Sequence, residues 1–132
     1  MHDPASGTDG PLRVLVVDAD DRVRESLSGL LAIGRKLVVV GSAGQPARAL
    51  ELLASESPDV VIVDPRLPDV AGGLAFIGRI RACDPDVRIV VMSWNEGLDD
   101  PALVAASDGF IRKTFRPNDL IAAICTASGR AA

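Results

Sequence analysis

Short apolar blocks alternate with amphipathic stretches along this chain. Leu12–Val17, Leu37–Val40, Val60–Val63 and Val87–Met92 are dominated by branched aliphatic residues, and Gly109–Arg112 adds a short block with Phe110 and Ile111. Runs of this length with almost no polar interruption predict strands buried on both faces, the habit of a parallel sheet. The stretches between them repeat apolar residues every three or four positions instead. Asp21–Ile33 carries Val23, Leu27, Leu30 and Leu31 on one stripe. Pro46–Ser55 carries Ala49, Leu50, Leu52 and Leu53, and Pro117–Ala127 carries Leu120, Ile121 and Ile124. Such spacing predicts helices with one face turned inward. Leu74–Cys83 reads as a further helix and Pro101–Ser107 as a short one. Asp20 or Asp21 is placed to cap the first helix. Gly34, Gly41, Pro58 and Asp84-Pro85 read as stop signals, and Pro65–Gly73 and Asn95–Asp100 as loops.

Strict alternation of five strands and five helices predicts an α/β three-layer, doubly wound sandwich with right-handed crossovers. The turn after the first strand helps to choose between the two common strand orders. A dinucleotide fold needs a glycine fingerprint there so that backbone approaches pyrophosphate. The turn instead reads Asp18-Ala19-Asp20-Asp21, which repels phosphate unless a cation intervenes. The expected order is therefore 2-1-3-4-5. A segment Gly73-x4-Gly78-Arg79 superficially resembles a P-loop, but it lacks the lysine and the following Ser or Thr and falls inside a helix. Residues 11–127 read as one domain, between a flexible polar tail at 1–10 and a short tail at 128–132.

The net charge of −4 disfavours direct, sequence-independent nucleic-acid binding, which needs a basic footprint. No apolar run approaches the roughly 20 residues of a membrane span, and the first ten residues carry no secretory signal; a cytoplasmic location is expected. The two cysteines, Cys83 and Cys125, are far apart and read as small buried hydrophobes with reduced thiols. The single histidine, His2, lies in the predicted tail, which removes histidine triads and histidine-based zinc sites from consideration.

The candidate chemistry sits at the ends of the apolar runs. Val14–Val17 leads into Asp18, Val60–Val63 into Asp64, Ile89–Met92 into Ser93, and Phe110–Arg112 into Lys113. Ligands of open parallel sheets bind beyond the carboxyl ends of the strands. If the runs are neighbouring strands, two carboxylates, a hydroxyl and an ammonium meet at one rim. That set suits a divalent cation and a phosphoryl group. Only two residues, Lys36 and Lys113, are lysine against twelve arginines, so a lysine at a strand end stands out.

These residues carry a family resemblance. VLVVDAD, DVVIVDPRLPDVAGG, VRIVVMS and DGFIRKTFRPNDLIAAI, in that order, resemble the receiver domain of two-component response regulators from about Leu12 to Ala127. The resemblance implies a flavodoxin-like fold and a role in phosphorelay signal transduction. Asp64 matches the phosphoacceptor that forms an aspartyl phosphate, Asp18 the first acid of the metal pair, and the Arg66 backbone carbonyl a further ligand for Mg2+. Ser93 matches the hydroxyl on the phosphoryl group, Lys113 its ammonium partner, and Phe110 the aromatic that switches with Ser93. Implied partners are a histidine kinase or phosphotransfer protein and an effector protein, with a homodimer also open and no membrane insertion. The chain ends about five residues past the last predicted helix, so an atypical stand-alone receiver acting by protein contact is expected, not an enzyme beyond its own phosphorylation and dephosphorylation.

Three positions depart from the pattern. Ala19 replaces the second acid, which weakens the expected Mg2+ site; Asp20 is a candidate substitute. Thr114 stands where proline follows the lysine, and the cost of about 2.5–4 kcal/mol for a non-proline cis bond makes Lys113-Thr114 trans. Trp94 follows Ser93 where a small residue is usual. Two alternatives follow. One is a phosphorylation-independent pseudo-receiver acting as an interaction module. The other is a haloacid-dehalogenase-type phosphatase, whose Asp-x-Asp motif Asp18 and Asp20 resemble.

Overall fold

A computed structural model of the chain describes residues 10–67, 69–93, 101–112 and 116–129. The elements run β1 (Leu12–Val17), α1 (Asp21–Leu31), β2 (Leu37–Ala43), α2 (Pro46–Glu56), β3 (Val60–Val63), α3 (Val70–Cys83), β4 (Arg88–Ser93), α4 (Pro101–Ala106), β5 (Gly109–Arg112) and α5 (Pro117–Ala127). The strands form one sheet in the order β2-β1-β3-β4-β5, and every neighbouring pair is parallel. Both the α/β class and the 2-1-3-4-5 order match the expectation from the sequence.

Side-chain alternation along the strands splits the core in two. Val14 and Val16 of β1 pack with Leu27 and Leu31 of α1 and with Leu120, Ile121 and Ile124 of α5. Leu15 and Val17 face the other way, toward Leu52 and Leu53 of α2, Phe76, Ile77 and Ile80 of α3, and Leu103 of α4. Val60–Val63 is buried along its whole length, as its unbroken aliphatic run requires.

The boundaries that differ from the sequence reading have local causes. α1 stops at Leu31 with Ala32 as its cap, before Gly34. α2 ends on Ser57 in the left-handed region, at φ 47°, with its N–H on the Leu53 carbonyl; Pro58 follows a helix that has already ended. β2 continues through Gly41 because Val40 is an inserted residue, with Val14 opposite Val39 and Leu15 opposite Gly41. A Cβ on Gly41 would sit 3.2 Å from both methyl carbons of Leu52, so the missing side chain admits α2. β4 runs one residue later than expected, which brings Ser93 into the strand.

The largest difference is at α3. The reading of Pro65–Gly73 as a loop is corrected: the helix begins at Val70, capped by Asp69, whose Oδ1 accepts from the Gly72 N–H at 2.8 Å. Gly72 and Gly73 are therefore helical. A Cβ on Gly73 would lie 1.8 Å from the Pro65 carbonyl oxygen, so the first turn of α3 rests directly on the backbone after β3. The cysteine reading also divides. Cys125 is buried, whereas Cys83, the last residue of α3, is exposed.

At the amino ends of β4 and β5, Asp108 ties several segments together. Its Oδ2 accepts from the Ile89 N–H at 2.8 Å and from Arg81 at 2.9 Å, and Arg88 approaches its other oxygen at 3.7 Å. Burial acts to raise this carboxyl's pKa. The Ile89 N–H, the Arg81 hydrogen bond and charge, and the Arg88 charge outweigh it and hold the group below its ordinary value. Arg81 also donates to the Val87 carbonyl at 2.8 Å, joining α3 to the start of β4.

Candidate functional site

The backbone ladder fixes the two central acids. Val17 pairs with Val63, and the Asp64 N–H continues that ladder by donating to the Val17 carbonyl at 3.0 Å. Asp18 in turn donates its N–H to the Ala43 carbonyl of β2 at 3.1 Å. Asp18 and Asp64 thus leave the sheet side by side, on strands that lie about 4.8 Å apart in any sheet. Asp18 is buried, at 4% exposure, and Asp64 is half-buried.

Each acid anchors its own turn in the same way. Asp18 Oδ1 accepts from the Asp20 N–H at 2.9 Å, and Asp64 Oδ1 accepts from the Arg66 N–H at 2.9 Å. This two-residue reach of a carboxylate onto its own backbone is what makes aspartate a turn former. Arg66 follows buried Pro65, and it is the Pro65 carbonyl that Gly73 contacts from below. The loop is therefore held from both ends.

Ser93 closes the rim from the next strand. It is the last residue of β4, 4% exposed, and pairs with Arg112 of β5. Phe110 pairs with Val91, two positions earlier, so it shares the face of Ser93; it is partly buried against the α2–α3–α4 side of the core. Asp20 is exposed and caps α1, its Oδ1 accepting from the Arg22 and Val23 N–H groups at 2.9 and 3.2 Å. Among the described residues no three His, Cys, Asp or Glu side chains gather as a metal-holding group. Asp20 therefore does not join Asp18 and Asp64 in one cluster. Lys113, Thr114 and Trp94 lie outside the described residues.

The sequence reading passed over Arg24 and Gly44. Arg24 Nη1 donates to the Asp18 carbonyl at 2.7 Å, in space that a side chain at Gly44 would fill. The spacing of Asp21 and Arg24, three residues apart on a helix, is a legible ion-pair signal. The reach back to Asp18 is not visible without the turn's geometry.

The strand order together with aspartates after β1 and β3 defines a flavodoxin-like, doubly wound domain with an acidic site at its carboxyl edge. The family model for the response regulator receiver domain matches residues 14–125, and the chain belongs to that family. Protein-glutamate methylesterase/protein-glutamine glutaminase 5 of Anaeromyxobacter dehalogenans is 34% identical over 88% of this chain and 32% of its own length. The signal receiver domain of the putative response regulator NarL from Mycobacterium tuberculosis superposes with a TM-score of 0.78 at 27% identity, covering 91% of this chain and 98% of that one. Response regulator TrrA from Thermotoga maritima, solved in complex with Mg(2+)-BeF, superposes with a TM-score of 0.74 at 26% identity, covering 88% and 98%. The chain spans between about a third and just over a half of the curated relatives it matches first. No helix among the described residues is long and apolar enough to cross a membrane.

Proposed function

We propose that this receiver takes a phosphoryl group on Asp64 from a histidine kinase or phosphotransfer protein and signals to an effector by protein contact. The observation that carries the reading is the Asp64 N–H on the Val17 carbonyl, which sets Asp64 beside buried Asp18. In the transfer, an Asp64 carboxylate oxygen attacks phosphorus. One O–P bond forms, the donor's bond to phosphorus breaks, and its electron pair leaves with the donor.

The donor set fits Mg2+. Two carboxylates and a backbone carbonyl, from Asp18, Asp64 and Arg66, are hard oxygen ligands of the kind this ion takes alongside several waters. A bound magnesium ion would offset the charge on the phosphoryl oxygens. With Ala19 in place of an acid, the site binds it weakly. Ser93 donates its hydroxyl to a phosphoryl oxygen, and Lys113 pairs with the same group. A unit charge pair at 4 Å is worth about 4 kcal/mol at an effective dielectric near 20, enough to bias a two-state loop. Phe110 follows Ser93 in that switch.

The net charge of −4 supports protein partners over nucleic acid, in a cytoplasmic setting, with a homodimer as one form of contact. Incubation with a small-molecule phosphodonor and Mg2+, followed by intact mass, tests the reading. The wild type gains one phosphoryl mass; EDTA or Asp64→Asn abolishes the gain. No gain under conditions that label other receivers overturns it.

A second reading is favoured by one observation: Ala19 supplies no ligand, while Asp20 is engaged in capping α1. On that reading the fold is a phosphorylation-independent pseudo-receiver, and Asp64→Ala leaves partner binding unchanged. The phosphatase alternative asks Asp20 to act as general acid from its capping position. It requires turnover that is lost in Asp18→Asn and kept in Asp64→Asn.

A further inference from the structure

The Asp18 turn is braced from behind. Arg24 lies one turn into α1 with its side chain only 19% exposed, although its ion-pair partner Asp21 is 82% exposed. An ordinary surface pair of this kind contributes little. This guanidinium does more than pair with Asp21, because Nη1 donates to the Asp18 main-chain carbonyl at 2.7 Å. The Asp18 N–H is held by the Ala43 carbonyl at 3.1 Å, so the peptide groups on both sides of the Asp18 Cα are fixed. The direction of a side chain follows from that frame. The Asp20 N–H on Asp18 Oδ1, at 2.9 Å, is the direct report of where the carboxylate points.

Gly44 keeps the slot open. An added Cβ would lie 2.6 Å from Arg24 Nη1, 3.3 Å from its Cζ and 3.6 Å from the Asp18 carbonyl oxygen. Backbone conformation does not explain this glycine, since among the described residues Gly129 is the one glycine with positive φ. What a side chain at position 44 meets first is the movable end of Arg24.

We propose that Arg24, seated in the slot left by Gly44, is a positioning residue for Asp18 and sets the affinity of the Asp18–Asp64 pair for a divalent cation. The proposal rests on the reading of that pair as a cation site. Two effects of the guanidinium oppose each other: its charge repels a cation, and its hydrogen bond aligns a ligand. Pairing with Asp21 offsets the charge, so alignment wins. Because Ala19 brings no second acid, the aim of Asp18 matters more here than in a site with a spare carboxylate.

Gly44→Ala separates the two effects, since it displaces the guanidinium and keeps its charge. The test compares wild type, Gly44→Ala, Arg24→Met and the double variant, with Mg2+ as titrant in calorimetry and amide hydrogen exchange of Asp20 without metal. Outer-shell partners of metal ligands typically carry 10- to 100-fold in affinity, so Gly44→Ala is expected to weaken Mg2+ binding roughly tenfold. The Asp20 amide is expected to exchange faster relative to the rest of α1. The double variant is expected to be no weaker than Arg24→Met alone, because the two changes act on one contact. Unchanged affinity in both single variants, or additive losses in the double variant, overturns the proposal. If the wild type binds no Mg2+, the cation-site reading fails and the affinity claim falls with it, while the Asp20 amide still decides whether Arg24 positions Asp18. If Gly44→Ala does not fold, Arg24→Met carries both measurements.

Discussion

Gly73→Ala puts a methyl group where the backbone leaves no room. The added carbon would lie 1.8 Å from the Pro65 oxygen, 2.6 Å from its carbonyl carbon and 3.0 Å from its Cα. Close carbon–oxygen contacts in proteins settle at about 3.3–3.6 Å, so the gap must widen by roughly 1.5 Å. Neither side yields easily, because both are main chain: the α3 turn capped by Asp69, and the loop that leaves Asp64. Overpacking of this kind costs about 1–3 kcal/mol, and a clash between two backbones belongs at the upper end. With an unfolding entropy of about 2.1 cal/mol/K per residue, 3 kcal/mol lowers the Tm of this 132-residue chain by ~10 °C. Gly78→Ala, later in the same helix, is the control. Beyond its own stretch of helix no atom lies within 4 Å of its added carbon, so the ordinary helical preference for alanine applies and stability rises by about 0.5–1 kcal/mol. Thermal unfolding of both variants gives the answer. Shifts of the same sign, or a Gly73→Ala protein as stable as wild type, would refute the close approach of α3 to Pro65.

Other outcomes follow from the same geometry. The folded-state pKa of Asp108 lies below its unfolded value, so its contribution to stability is present above the unfolded carboxylate pKa. That contribution is lost as pH falls through the lowered value. Asp108→Asn is expected to flatten this acid-side part of the unfolding curve and to cost on the order of 1 kcal/mol at neutral pH, its ion pairs being partly solvated. A denaturation series from neutral to acid pH checks both. Asp20→Ala removes the cap of α1 and is expected to cost about 1 kcal/mol. Calorimetry should show Mg2+ binding little changed by Asp20→Ala and abolished by Asp18→Asn; equal losses would return Asp20 to the ligand set.

The architecture was legible because Val14–Val17, Val60–Val63 and Ile89–Met92 are unbroken apolar runs, and a sheet covered on both faces buries such runs. The gathering of Asp18, Asp64 and Ser93 was legible for the same reason, since each ends a run and the runs are adjacent. What escaped the sequence depended on single contacts between distant segments. Gly73 reads as a loop residue until Pro65 is seen against it. Gly41 reads as a strand end until the inserted Val40 and the neighbouring Leu52 are placed. Cys83 looks like core by residue type, yet it falls on the exposed last turn of α3. Asp21 and Arg24 show the spacing of a helical ion pair and Gly44 carries no motif; the reach of Arg24 to the Asp18 carbonyl, past Gly44, exists only in the folded turn.

Chemical trapping of the labelled protein locates the phosphoryl group. After exposure to phosphodonor and Mg2+, borohydride reduction marks the acylated side chain, and peptide mass spectrometry locates it. A single mark at position 64 is expected. A mark on another carboxylate, such as Asp18, or an unmodified Asp64 in labelled protein, would contradict it.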